Sequence, residues 1–193
     1  MKAAIGFWLS NQKLNNISQS PALILPQSDF SQELSNKNFS RKLKCGKIIY
    51  GMTNSINVFT DGGARGNPGP SAIGVYIENS ENKKISGFGK TIGIATNNVA
   101  EYKAVIEALT WIIENKKDLS KDAKINFFLD SRLVCSQIVG IFKVKNPDLR
   151  NLLFDVRQRE AQIGFPIYYK HIPRERNAKA DSFVNQALDK EAV

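Results

Sequence analysis

Val58-Phe-Thr-Asp-Gly-Gly-Ala-Arg-Gly-Asn-Pro-Gly-Pro70 decides the reading of this chain. The apolar alternation of Ile56-Asn-Val-Phe-Thr60 is that of a half-buried strand, and it delivers one carboxylate, Asp61, at its end. A turn rich in Gly and Pro follows at once, where glycine permits backbone shapes closed to other residues and lets a second backbone approach. Arg65 and Asn67 are the polar groups of that turn. Alone, Asp-Gly-Gly reads as a hairpin turn with a solvated or capping Asp61. Three later carboxylate sites reverse that reading.

Downstream, Ala72-Ile-Gly-Val-Tyr-Ile77 within Ser71–Glu78 is a second strand, and Lys84–Ile94 a third, with glycines that mark bulges or close approaches. Short turns between them imply an antiparallel meander. The period then changes. Tyr102, Val105, Ile106, Leu109, Ile112 and Ile113 fall at helical spacing. Thr96-Asn-Asn98 supplies capping side chains, and Glu101 is expected in the first turn, where the helix dipole alone would account for an acid. Lys124-Ile-Asn-Phe-Phe-Leu-Asp130 is a buried strand that again ends in a carboxylate. Ser131 caps the next helix, which begins at Arg132, and a cap is equally the plain account of Asp130. Asn146-Pro-Asp148 opens another helix, with Leu149, Leu152, Leu153 and Val156 as its apolar stripe. Phe165–Lys170 is the last strand, ending at His171, the only histidine in the chain. A charged loop leads from there to Asp181 in the first turn of a terminal helix whose buried face is Phe183, Val184, Ala187 and Leu188.

Strand–helix alternation in the second half implies parallel crossovers, while the first half is antiparallel. The expected fold is α/β, a five-stranded mixed sheet with helices on its faces. Ligands of open α/β sheets collect outside the carboxyl ends of the strands. Four acids converging there repel one another unless cations neutralise them. All-oxygen ligands select hard ions, so Mg²⁺, or Mn²⁺, rather than Zn²⁺. No Cys/His cluster for zinc and no P-loop for a nucleotide appears in the sequence.

The chain has 193 residues and a net charge of +9, which suits a polyanionic partner. Residues 1–51 hold seven Lys+Arg and two acids, and the remaining 20 and 16 fall in residues 52–193. Residues 1–51 are rich in Ser, Asn and Gln and lack a sustained period. They are expected to be a disordered or loosely packed extension, with residues 52–193 as the working domain; Met52 stands just before the first strand. Cys45 and Cys135 make no disulfide framework, and Cys135 lies in an apolar helical pattern as a buried thiol. No stretch approaches the length of a membrane span. A monomer in the cytoplasm is the expected state.

Four stretches in order, Thr60–Pro70, Thr96-Asn-Asn-Val-Ala-Glu-Tyr102, Leu129-Asp-Ser-Arg-Leu-Val134 and His171-Ile-Pro-Arg-Glu-Arg-Asn-Ala-Lys-Ala-Asp181, resemble the ribonuclease H type 1 family. Phe142-Lys-Val-Lys-Asn-Pro147 resembles its reverse-transcriptase-like branch, which lacks the basic protrusion. The match covers about residues 54–190, and residues 1–51 do not resemble the family's hybrid-binding domain. The resemblance implies a ribonuclease H-like catalytic domain that hydrolyses the RNA strand of RNA–DNA hybrids by two-metal catalysis, leaving 5′-phosphate and 3′-hydroxyl ends. It implies that Asp61 bridges two metal ions, that Glu101 and Asp130 complete one site and Asp181 the other, and that His171 serves proton traffic or product release. Asn67, Asn97 and Asn98 match groups that contact the minor groove of the hybrid, where 2′-hydroxyls distinguish RNA from DNA. Arg132 stands where better-known members carry glutamine. Lys143, Lys145, Arg174, Arg176 and Lys179 are candidate phosphate contacts. The alternatives are a catalytically silent nucleic-acid-binding protein on the same fold and a nuclease preferring double-stranded RNA.

Overall fold

The first strand sets the plan, because its alternation buries Ile56, Val58 and Thr60 completely on one face. In the computed structural model, which describes residues 53–191, that strand is β1 (Thr53–Ala64). The expectation for residues 1–51 lies outside the described residues. The meander continues through β2 (Gly69–Asn79) and β3 (Lys84–Ala95), each antiparallel to its predecessor. Helix α1 (Asn97–Asn115) then crosses the sheet and returns the chain to β4 (Leu119–Leu129), parallel to β1. Helices α2 (Arg132–Ile138) and α3 (Pro147–Ile163) lead to β5 (Ile167–His171), parallel to β4, and α4 (Ala178–Glu191) follows. The strand order is β3-β2-β1-β4-β5, the five-stranded mixed sheet expected from the sequence.

The helices begin where their side chains permit. Thr96, Ser131 and Asn146 each accept a hydrogen bond from a backbone N–H of the first turn, of Val99, Val134 and Leu149 respectively. Each such cap contributes about 1 kcal/mol. The stripe of Tyr102, Val105, Ile106, Leu109 and Ile112 is buried; with Val156 of α3 and Ile125, Phe127 and Leu129 of β4 it forms the main core on one face of the sheet. A smaller cluster of Ala72, Val184, Ala187 and Leu188 lies under α4. Cys135 is a free, buried thiol. Residues 139–146 pass from α2 to α3 without a further helix, so no basic protrusion is present.

Glycines of the sheet let helices approach more closely than any side chain allows, and two of them, Gly62 and Gly74, bear on the acids. A Cβ at Gly62 would lie 2.1 Å from the carbonyl carbon of Ala100 in α1, and one at Gly74 would lie 2.1 Å from the carbonyl oxygen of Ala180 in α4. Both helices carry an acid within a few residues of that contact, so these approaches bring the carboxylates to the sheet. Lys179 anchors α4 from the same turn. Its Nζ donates to Glu78 Oε2 (2.9 Å) and Tyr76 Oη (3.2 Å) and sits 4.3 Å from the Tyr76 ring centroid.

Candidate active site

β1 and β4 are parallel neighbours with Thr60 opposite Leu129. The next residue of each strand is an aspartate, so the register sets Asp61 and Asp130 side by side at one sheet end. Gly62 admits the backbone of α1, and Glu101 completes a group of three. One carboxylate oxygen from each of Asp61, Glu101 and Asp130 lies within 4.8 Å of the others. α1 begins at Asn97 and has no acid in its first turn, so Glu101 lies one turn further in. The dipole of the helix start falls off within the first turn and does not account for this acid.

The electrostatics of the group are unfavourable without a cation. Asp61 and Glu101 are only 6 % and 9 % exposed. Burial, and then the charges of Asp130 and Asp181, push the Asp61 carboxyl up to about 7. Burial, with Asp61 and Asp130 beside it, raises Glu101 well above the usual carboxylate range. Asp130 is raised chiefly by burial, against the opposing pull of hydrogen-bond donors and Arg174. Arg174 also lowers Asp61 and Glu101, so its guanidinium is a cation that eases all three. Glu101 Oε2 and Asp130 Oδ1 are buried with no hydrogen-bond partner. Buried, crowded, unpartnered carboxylate oxygens are the donor set of a hard divalent cation, and the residues fit such an ion.

Asp181 occupies the first turn of α4 as expected but stands apart from the three. Its Oδ1 accepts from Arg174 Nη2 (2.9 Å) and its Oδ2 from Asn185 Nδ2 (2.9 Å). It remains near enough to raise Asp61. His171 closes β5 and is exposed, with Nε2 3.2 Å from the backbone oxygen of Asp130. A carbonyl only accepts, so Nε2 is the donor in this contact and Nδ1 is left facing away from it.

The asparagines of the first two motifs fasten the Gly/Pro turn to the start of α1. The Ala64 N–H donates to Asn97 Oδ1 (2.9 Å), and the Asn97 N–H donates to Asn67 Oδ1 (3.2 Å). Asn98 beside them is half-buried, and Arg132 is exposed at the start of α2. Lys143, Lys145 and Arg176 are exposed. The other two candidate phosphate contacts are engaged within the chain, Arg174 with Asp181 and Lys179 with Glu78. The sequence reading did not single out Asn177. It is fully buried, and its Nδ2 donates to the Thr60 carbonyl (2.9 Å) beside Asp61. The signal available was an asparagine four residues before an acid that opens a helix, which reads as an ordinary cap.

A mixed sheet in this order, with a carboxylate group at the junction of its parallel strands, defines a ribonuclease H-like domain. The RNase H family model matches residues 53–189, and the chain belongs to that family. The chain is 41 % identical over 135 residues to a ribonuclease HI of Halobacterium salinarum, a match covering 69 % of this chain and 64 % of the relative. It thus spans less than two thirds of that relative's length. Among solved structures it resembles LC11-RNase H1, isolated from compost, with 40 % identity and a TM-score of 0.69 over 72 % of this chain and 99 % of that one. The same enzyme in complex with an RNA/DNA hybrid gives 39 % identity and a TM-score of 0.68, covering 72 % of this chain and 99 % of that one.

Proposed function

We propose that this chain is a metal-dependent endoribonuclease that hydrolyses the RNA strand of RNA–DNA hybrids. The observation that carries the reading is the group of buried Asp61 and Glu101 with half-buried Asp130, one oxygen of each lying within 4.8 Å of the others. A silent binder of nucleic acid has no use for it, because unneutralised acids beside phosphates oppose binding. The structural likeness to an enzyme held in complex with a hybrid supports the choice of substrate.

Asp61, Glu101 and Asp130 would hold one cation, and Asp61 with Asp181 a second; Mg²⁺ is the first expectation and Mn²⁺ the second. When bound, such ions activate water and stabilise the departing 3′ oxygen of an in-line displacement. The chain's own residues do the rest. Burial of Asp61 and Glu101 keeps bulk water from competing for the carboxylates. His171, fixed through Nε2 to the Asp130 backbone, offers Nδ1 to take up and release a proton. Asn67, Asn97 and Asn98 would read 2′-hydroxyls in the minor groove. Arg132, Lys143, Lys145 and Arg176 would contact phosphates, each contact making binding more salt-sensitive. None of the described helices is long and apolar enough to cross a membrane. A cytoplasmic location accords with Cys135 as a free thiol.

The deciding experiment is a cleavage assay on sequence-matched hybrid, RNA and DNA duplexes, with Mg²⁺, with Mn²⁺ and with chelator. Internal cuts confined to the RNA strand of the hybrid, and only with metal, are expected. Hybrid binding with no cleavage under either ion would instead establish the silent binder, and preferential cutting of duplex RNA the other nuclease.

A further inference from the structure

Asn177 is fully buried in the loop between β5 and α4, yet its side chain does not close on its own helix. Its Nδ2 crosses 117 residues of sequence to donate to the Thr60 carbonyl (2.9 Å), one residue before Asp61. That bond fixes the amide's orientation, because a carbonyl can only accept and the nitrogen must face it. The backbone of Asn177 is bound on both sides. Its N–H donates to the Arg174 carbonyl (2.9 Å), and its carbonyl accepts from the N–H of Asp181 (3.1 Å). Each link therefore ends on the residue beside Asp61, on Asp181, or on the arginine paired with Asp181.

We infer that Asn177 is a positioning residue of the cluster, a buried side chain that ties β1 at Asp61 to the start of α4 at Asp181 in one arrangement. This rests on the reading of the acids as a metal site. The chemistry explains why an asparagine is needed. Aspartate has no N–H to offer when ionised and would add a charge to a crowded group; alanine leaves the buried Thr60 carbonyl unpaired. Glutamine is one methylene too long for a filled site.

The test uses the full chain and reads Mn²⁺ binding by calorimetry without substrate, alongside kcat and KM on a hybrid. Asn177→Ala should remain folded by circular dichroism and bind Mn²⁺ roughly 10- to 100-fold more weakly, the usual effect of losing a residue that orients metal ligands. Its kcat should fall by a similar factor with KM within about two-fold, because the substrate contacts are untouched. Val156→Ala, a core change in α3, supplies a loss of melting temperature that leaves Mn²⁺ affinity alone. Should Asn177→Ala not fold, Asn177→Ser, which keeps a donor, undergoes the same titration with the same expectation. Unchanged Mn²⁺ affinity in the folded variant overturns the inference, as does a loss equal to that of Val156→Ala, or a change in KM alone. A wild-type chain that binds Mn²⁺ but cuts nothing defeats the hydrolytic reading and leaves this comparison intact.

Discussion

Gly62 of β1 and Ala100 of α1 touch backbone to backbone: a Cβ on Gly62 would stand 2.1 Å from the Ala100 carbonyl carbon and 2.2 Å from the Glu101 nitrogen. This contact sets the distance between the strand that carries Asp61 and the helix that carries Glu101. Gly62→Ala must push α1 away from the sheet, since both neighbours are backbone and neither can rotate aside. Overpacking of this kind costs typically 1–3 kcal/mol and occasionally more, and the upper end, about 3 kcal/mol, is expected here. Chemical denaturation should show that loss, and cleavage should fall with it because Glu101 moves. A variant with unaltered stability and activity would show that the helix can give way.

Asp61→Asn should abolish most activity while making the metal-free protein more robust. Burial, and then the neighbouring acids Asp130 and Asp181, push the Asp61 carboxyl up to about 7. A carboxyl raised on folding keeps its proton in the native state after the unfolded chain has lost it. Its contribution is therefore largest below the ordinary carboxylate range and is lost as pH rises towards 7. Replacing Asp61 with a neutral isostere removes that loss. Without metal, the melting temperature of Asp61→Asn relative to wild type should climb between pH 4 and 8, and saturating Mg²⁺ should reverse the order at pH 8. A difference flat across that range would remove Asp61 from the coupled group.

The attachment of α4 depends on a pair that no local pattern discloses. Glu78 is 4 % exposed and its Oε2 is held by Lys179 Nζ at 2.9 Å. Lys179→Met keeps the stem but strands a buried carboxylate, at a cost of about 1–3 kcal/mol. The double variant Lys179→Met/Glu78→Gln should recover part of that loss, because the stranded charge has gone. Equal stability of the single and double variants in urea titrations would mean that water reaches Glu78.

Most of the frame was legible because its signals are local. The stripe from Tyr102 to Ile112 and the caps at Thr96, Ser131 and Asn146 each appear where spacing and side-chain chemistry put them. Boundaries were less so. β4 starts at Leu119 rather than Lys124: its first half is largely polar and gives no strand alternation, and Leu119 pairs with Thr53 of β1 before the register shifts to set Ser55 opposite Lys124. The acids were legible as motifs, but their relations depend on side chains brought from distant elements. Asp181 reads as one more acid of the motif, and only the fold shows that its two oxygens accept from Arg174 and Asn185 while its charge still raises Asp61. Lys179 reads as one more surface cation until β2 supplies Glu78, and Asn177 reads as a cap until β1 supplies the Thr60 carbonyl.

His171 and Asp130 can be separated by substitution, because the histidine is bonded to the backbone oxygen of Asp130 and not to its carboxylate. Asp130→Asn therefore removes a proposed metal ligand without detaching the imidazole. His171→Ala removes the imidazole and leaves the three carboxylates. A positioned acid–base group contributes typically 10²–10⁴-fold, and an exposed one belongs at the low end, so His171→Ala should lower kcat by about 100-fold. Asp130→Asn should lower it further, since the cluster loses both a charge and an oxygen donor. Raising Mn²⁺ should restore little activity to His171→Ala and some to Asp130→Asn, whose defect is partly in metal affinity. A substrate with a lone ribonucleotide in duplex DNA should be cut poorly by all three proteins, because it lacks the successive 2′-hydroxyls that Asn67, Asn97 and Asn98 would contact. Full activity in Asp130→Asn, beside a deep loss in His171→Ala, would place the chemistry on the histidine and remove the carboxylates from its centre.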